Sequence, residues 1–320
     1  MSDAANSPVF IVGSYRSGTS IFCWCLGQHP NFVNLPETNW LARLGLDLEN
    51  LYRLGTVNGK FSHLQQAGVS EDDFFRLFGE GVNRLIQITN IALIDKSPRP
   101  RKQHFTRRRS LDEPKRRWVD ATPENSHYVY PLSKMFPSAK FIHLLRDPHD
   151  VASSLMKFSR TGARDYERDE GYRAWIRLTR AALAAEQALG EHRMLRVRYE
   201  EFTTEPESAF SKTLTFLGED YCAACLEPLN SKINSSEVDP GQGQRDRLSV
   251  AAQEADDLYR ATITMAPIGA ADLSTYEELK NGYLEQCRTL QERQLTKQVE
   301  RSESPRNLTE RFLSLLRKHA

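Results

Sequence analysis

Long apolar runs are absent from this 320-residue chain. A bilayer crossing needs roughly 18 or more consecutive apolar positions, so no transmembrane segment is expected. Cysteine is scarce: five residues, an odd number, argue against a disulfide framework. Cys23 and Cys25 fall in an apolar stretch, where cysteine serves as a small hydrophobe. Cys222 and Cys225 form a C-x-x-C with no second Cys or His pair nearby, which reads as structural, and no metal is expected. Excess charge is missing as well, since 43 Lys and Arg against 42 Asp and Glu leave a net charge of +1. No global field draws such a molecule to nucleic acid or anionic lipid, so no nucleic-acid partner is expected. The opening residues lack the basic start, apolar centre and small-residue cleavage site of a secretory leader, and the expected location is cytoplasmic.

What is present suits a folded α/β protein, with 39% hydrophobic and 27% charged residues. Val9 to Gly13 is a short apolar run rich in β-branched residues, as a strand of a buried parallel sheet is, and Lys140 to Leu145 and Met194 to Tyr199 also have the strand pattern. Ile91 to Ile94 is a further strand candidate. Between them lie helical stretches at about 18–28, which stops before His29-Pro30, and 170–190. Strands alternating with helices predict a three-layer sandwich, a central parallel sheet flanked by helices. Residues 45–90 predict a helical insertion with Phe74, Phe75, Leu77 and Phe78 on its buried face. Nine Lys or Arg crowd residues 99–117, either a solvated loop or a docking surface for an anionic acceptor. The main domain is expected to span residues 1–255, with the insertion at about 45–117, and a helical extension 256–320. In that extension Tyr276, Leu279, Tyr283, Cys287 and Leu290 form one stripe, and Leu308, Phe312, Leu315 and Leu316 another. Packing on the chain's own core, self-association or a membrane surface would each bury such faces.

Gly13-Ser14-Tyr15-Arg16-Ser17-Gly18-Thr19-Ser20 joins the first strand to the first helix, where backbone N–H groups and a helix N-terminus cradle phosphate oxygens. The spacing is that of G-x-x-x-x-G-K-[ST], the P-loop, except that Thr19 stands where an NTPase keeps its lysine. Arg16 supplies a planar fork for a phosphate. A second anchor follows the strand at 140–145: Arg146 at its carboxyl end, and Ser154 eight residues on.

These segments resemble the PAPS-dependent sulfotransferases, where PAPS is 3′-phosphoadenosine 5′-phosphosulfate. Ser-Tyr-Arg-Ser-Gly-Thr-Ser is similar to their 5′-phosphosulfate loop. The resemblance implies that Tyr15, Arg16, Ser17, Gly18, Thr19 and Ser20 bind the donor, and that Arg146 and Ser154 hold its 3′-phosphate. Arg198-Tyr199-Glu200-Glu201-Phe202 looks like the family's R-Y-E-[DE]-[LF], with Tyr199 shaping the nucleotide pocket. Spacing is closest to the protein-tyrosine sulfotransferases and related bacterial sulfotransferases: Glu37-Thr38 lies twenty-one residues after Arg16, at the place of their general base. Ser236 corresponds to that group's serine contact to the donor. The implied activity is sulfuryl transfer from PAPS to a hydroxyl acceptor, with Glu37 and Arg16 as catalytic residues and a glycan, a peptide tyrosine or a small metabolite as acceptor. Two departures stand out. Ala121 replaces the lysine that commonly precedes Thr-Pro, with Arg16, Lys96 and Arg99 as substitute cations, and Asn39 replaces an arginine that often follows Glu-Thr. His127 is read either as structural or as an alternative base. Two other functions remain open: a non-catalytic PAP- or PAPS-binding protein, PAP being 3′,5′-adenosine bisphosphate, and a P-loop kinase-like protein.

Overall fold

A computed structural model describes residues 7–96, 117–157, 166–230 and 249–303. Five strands, β1 (Val9–Gly13), β2 (Phe32–Asn34), β3 (Arg117–Asp120), β4 (Lys140–Leu145) and β5 (Met194–Arg198), form one parallel sheet in the order β2-β3-β1-β4-β5. The helices are α1 (Thr19–Gly27), α2 (Asn39–Thr56), α3 (His63–Gln66), α4 (Glu71–Lys96), α5 (Val129–Met135), α6 (Pro148–Leu155), α7 (Arg168–Leu189), α8 (Tyr199–Thr204), α9 (Pro206–Leu217), α10 (Val250–Thr264) and α11 (Leu273–Glu303). β1 is buried along its whole length, so it reads as an unbroken apolar run rather than an alternating one.

Alternation still sorts side chains between the two faces of the sheet. Val9, Ile11, Val119, Ile142 and Leu144 join Phe22, Phe202 and Phe210 in one core, between the sheet and α1, α8 and α9. On the other face Leu145 packs with Tyr172 and Trp175 of α7, Val151 of α6 and Tyr259 of α10. Also on strand positions of this face, Phe10, Trp118 and Phe141 gather with Phe136, Phe10 and Trp118 meeting edge to face at 5.4 Å. His143 of β4 and Arg196 of β5 are polar exceptions, satisfied by a carboxylate from α7: Glu186 accepts from His143 Nδ1 at 2.6 Å and from Arg196 Nε at 3.0 Å. Burial alone would raise the Glu186 carboxyl, but these hydrogen bonds and charges outweigh it and leave it below the ordinary glutamate range.

Several expectations change. Ile91 to Ile94 is helical, lying inside α4. A four-residue apolar run has no preference of its own, and a continuous helical turn on either side decides it. Of the four residues assigned to the insertion's buried face only Phe75 is buried, whereas Leu77 and Phe78 are 56% and 42% exposed. The helix buries Phe75, Gly79, Val82 and Ile86 along one side, and Gly79 is needed because a Cβ there would strike the Met135 carbonyl of α5. The sequence reading had no counterpart for β2 or β3.

The chain divides into two compact units, the first reaching Leu279. Within it, Ala251, Ala252, Ala255 and Tyr259 of α10 join the α7 core. The second unit begins at Lys280 and is helical up to Glu303, with Tyr283 and Cys287 buried. Leu308 to Leu316 lie outside the described residues, as does the basic stretch 97–116. No described helix is long and apolar enough to cross a membrane.

Candidate active site

β1 is the centre of the sheet, and its chain connections leave in opposite directions on its two sides. Its neighbour β4 pairs with it in register, Gly13 against Leu144. Loops leaving the carboxyl ends of such a pair border the crevice where open α/β sheets bind ligands. Here those loops are Ser14–Gly18 and Arg146–Asp147.

The first loop turns through two left-handed residues, Arg16 (φ 60°) and Gly18 (φ 88°). Such a φ is costly for a side chain with a Cβ, so Arg16 needs its surroundings to hold it. Two bonds do: its Nε donates to Ser154 Oγ at 2.8 Å, and its carbonyl accepts from an Arg146 terminal nitrogen at 2.9 Å. Arg146 also lies over the Tyr199 ring at 4.3 Å, and a Cβ at Gly18 would fall 2.5 Å from that same ring. Arg16, Gly18, Arg146, Ser154 and Tyr199 therefore form one cluster. Burial first, and the neighbouring Arg146 second, lower the Arg16 guanidinium below its ordinary value. Two guanidiniums held this close in a half-buried place are best relieved by an anion.

The second loop is fastened to both helical layers. Trp175 Nε1 donates to the Arg146 carbonyl at 2.9 Å, the Asp147 N–H donates to Glu200 at 2.9 Å, and Asp147 caps α6 by accepting from the N–H groups of His149 and Asp150. Arg146 makes its ion pair with Asp150, 3.5 Å away, one turn into that helix. In the first loop Ser17 and Thr19 are buried and Ser20 is exposed. The hydroxyls of Ser14 and Ser17 are buried with no hydrogen-bond partner among the described residues. Buried hydroxyls are normally satisfied, so their position beside the N-terminus of α1 fits a phosphate ligand.

Glu37 is exposed and lies just before α2. Its neighbour Thr38 is buried: the Thr38 N–H donates to Thr122 Oγ1 at 2.8 Å and its hydroxyl to Asp120. Asp120, fully buried at the end of β3, also accepts from the Thr122 N–H (3.0 Å) and hydroxyl (2.6 Å) and from Asn125 Nδ2 (2.8 Å). This knot sets the turn that carries Glu37. Although solvent reaches the Glu37 side chain, crowding by protein, then the charges of Glu124 and Asp120, push its carboxyl above the ordinary range. Tyr15 donates its hydroxyl to Glu124 at 2.7 Å, and burial together with that carboxylate raises the phenol strongly, so it stays protonated. Ser126 ties the same turn to the first loop by accepting from the Gly13 N–H at 2.9 Å.

Ala121 is buried and brings no cation. His127 Nε2 accepts from Arg177 at 3.3 Å, and burial plus that arginine lower its pKa to about 4, which keeps the ring neutral. Ser236 and Arg99 lie outside the described residues. The sequence reading overlooked Asp120, Glu124 and Arg177; in Val119 to Asn125 the two carboxylates beside Ala121 were the available signal.

Comparison with known proteins decides the family. The model of the sulfotransferase family matches residues 8–222 of the chain, which covers both loops, Glu37 and Tyr199. This chain belongs to the sulfotransferase family. It is 24% identical over 212 residues to protein-tyrosine sulfotransferase A of Caenorhabditis elegans, a match covering 65% of this chain and 49% of that protein, about half its length. Among solved structures, the sulfotransferase domain of the Synechococcus PCC 7002 olefin synthase is 20% identical, with 86% of this chain and 94% of that one covered and a TM-score of 0.44. Sulfotransferase STF9 from Mycobacterium avium is 18% identical, with 83% and 79% covered and a TM-score of 0.46.

Proposed function

We propose that the protein is an enzyme that transfers the sulfuryl group of PAPS to a hydroxyl acceptor, with Glu37 as general base. One observation carries this reading: Arg16 and Arg146, from loops 130 residues apart in sequence, share one half-buried cluster with Ser154 and Tyr199. A nucleotide phosphorylated at both its 3′ and 5′ positions supplies two anions to such a pair. Backbone N–H groups at the start of α1 and the hydroxyls of Ser14, Ser17 and Thr19 would hold the 5′ end, while Arg146 and Ser154 would hold the 3′-phosphate. Without a lysine at position 19, a γ-phosphate loses its usual cation, which disfavours a triphosphate-cleaving reading.

In the reaction the acceptor oxygen forms the new bond to sulfur as the bond from sulfur to the phosphate oxygen breaks, and PAP leaves. Glu37 takes the acceptor's proton, a role suited by a carboxyl raised above its ordinary value. Arg16 offsets charge on the leaving phosphate, in the absence of a lysine at 121.

Thermal shift tests the donor assignment: PAP should stabilise the protein more than ADP or ATP without magnesium, and equal shifts for all three would refute it. In a mass-resolved transfer assay, Glu37→Ala should abolish turnover while PAP still binds. Unimpaired turnover would remove Glu37 from its role, and turnover lost together with PAP binding would assign it to donor binding instead.

A further inference from the structure

The two sides of β1 are finished differently. Along β4 the pairing runs on to Gly13 against Leu144, whereas β3 leaves the ladder after Phe10 against Asp120. Gly13, buried and last in β1, therefore has no strand beside it on the β3 side, and its peptide groups need a partner there. Ser126 is that partner. Its Oγ accepts from the Gly13 N–H at 2.9 Å, and its one hydroxyl hydrogen donates to the Pro123 carbonyl at 2.8 Å, with the Gly13 carbonyl at 3.2 Å as the second acceptor.

From Pro123 the connection reaches Glu37 without leaving the interior. Thr122 Oγ1 accepts from the Thr38 N–H at 2.8 Å, and Asp120 accepts from the hydroxyls of both threonines and from Asn125 Nδ2. Ser126, Thr122, Asn125 and Asp120 are each 0% exposed. The Tyr15–Glu124 bond joins the same two segments, but through two half-buried side chains that can rotate about their own bonds. That bond limits the separation of the segments, and Ser126, which grips backbone at both ends, fixes it.

Resting on the sulfotransferase reading, we infer that Ser126 is a positioning residue through which a donor bound at Ser14–Gly18 stiffens the turn that holds Glu37. Phosphate oxygens taken up by the N–H groups of that loop restrain it from Gly13 onward. Ser126 passes the restraint to Pro123 and Thr122, and Thr122 passes it to Thr38, so the carboxylate is set against the sulfuryl group once the donor is in place. Restraining one part of such a network lowers the opening of the next.

Amide hydrogen exchange of the full-length protein, with and without saturating PAP, tests this without an acceptor. In the parent, PAP should slow exchange about tenfold, on the scale of one hydrogen bond, in residues 13–20 and 146–155 and also in residues 37–42 and 119–128. In Ser126→Ala the first two segments should keep that effect, and in the last two it should fall below about twofold. A bond that served folding alone would instead speed exchange of the turn equally with and without PAP, leaving the effect of PAP whole. Ser126→Cys keeps nearly the same side-chain size with weaker bonds; it should fall between the two, and it supplies the comparison if the alanine variant does not fold. A PAP titration of each variant verifies its fold. No effect of PAP at 37–42 and 119–128 in a parent whose two loops are protected, or an effect there that survives both substitutions, overturns the inference. Failure of the donor reading looks different, since PAP would then leave residues 13–20 and 146–155 of the parent unprotected.

Discussion

Removing Asp120 exposes how Glu37, the proposed base, is held. Its Oδ1 accepts from the Thr122 N–H and hydroxyl, and its Oδ2 from the Thr38 hydroxyl and Asn125 Nδ2, all in a buried site. Asp120→Ala strands these donors. Hydroxyls can rotate to other acceptors, but the Thr122 N–H and the Asn125 amide cannot, and each hydrogen bond to a charged group is worth about 1.5–3 kcal/mol. We expect a loss of about 3–5 kcal/mol, or roughly 10 °C in melting temperature. Asp120→Asn should be far milder. Asn125 Oδ1 is buried and unpartnered, so the Asn125 amide can turn over and accept from the new side-chain nitrogen, while the Thr38 hydroxyl rotates. That leaves a cost of about 1 kcal/mol. In Asp120→Ala the released Thr38 lets Glu37 drift, and a misplacement of about 1 Å costs on the order of a hundredfold in turnover. PAP affinity, set at β1 and β4, should change little. Calorimetric melting, PAP titration and turnover on both variants test this together. An alanine variant melting within about 2 °C of the parent, or an asparagine variant as damaged as the alanine one, would refute the anchoring role.

Gly18→Ala forces a Cβ to 2.5 Å from the Tyr199 ring at φ 88° and should weaken PAP binding about tenfold or more, measured by titration calorimetry. The acid limb of the kcat/KM profile should lie above the ordinary glutamate range, because Glu37 must be ionised to accept a proton and its carboxyl is raised. Glu124→Gln removes one of the raising charges, so that limb should move to lower pH; an unmoved limb would detach it from Glu37. Glu186→Gln leaves Arg196 without its buried carboxylate and should cost about 3–5 kcal/mol at neutral pH in urea melts. A depressed carboxyl stabilises the fold above its unfolded value, and this contribution disappears as pH falls through the folded one. The difference between parent and variant should therefore shrink in acid.

Legibility followed burial. β1 and β4 were readable to the residue because both faces are covered, which leaves an uninterrupted apolar signature. β2 has three residues, too few for any pattern, and β3 opens with Arg117, the last member of a basic run. That arginine is only 3% exposed, since the Ser7 and Leu217 carbonyls and Glu219 accept from it. A charge satisfied by distant backbone gives no local sign of being buried. The anion cluster was legible for a different reason: loops at the ends of neighbouring strands meet whatever lies between them in sequence, and their residue types announced phosphate chemistry. Asp120 was not legible, because its donors converge only after β3 slots between β1 and β2.

That insertion of β3 divides labour along the polypeptide. One side of the central strand carries the cluster of Arg16, Arg146, Ser154 and Tyr199, and the other builds the turn carrying Glu37, joined to it through Ser126 and Tyr15. On the proposed reading, changes in the helices between β2 and β3 would alter which alcohol is admitted while the proposed donor seat, assembled from β1, β4 and α6, stays intact.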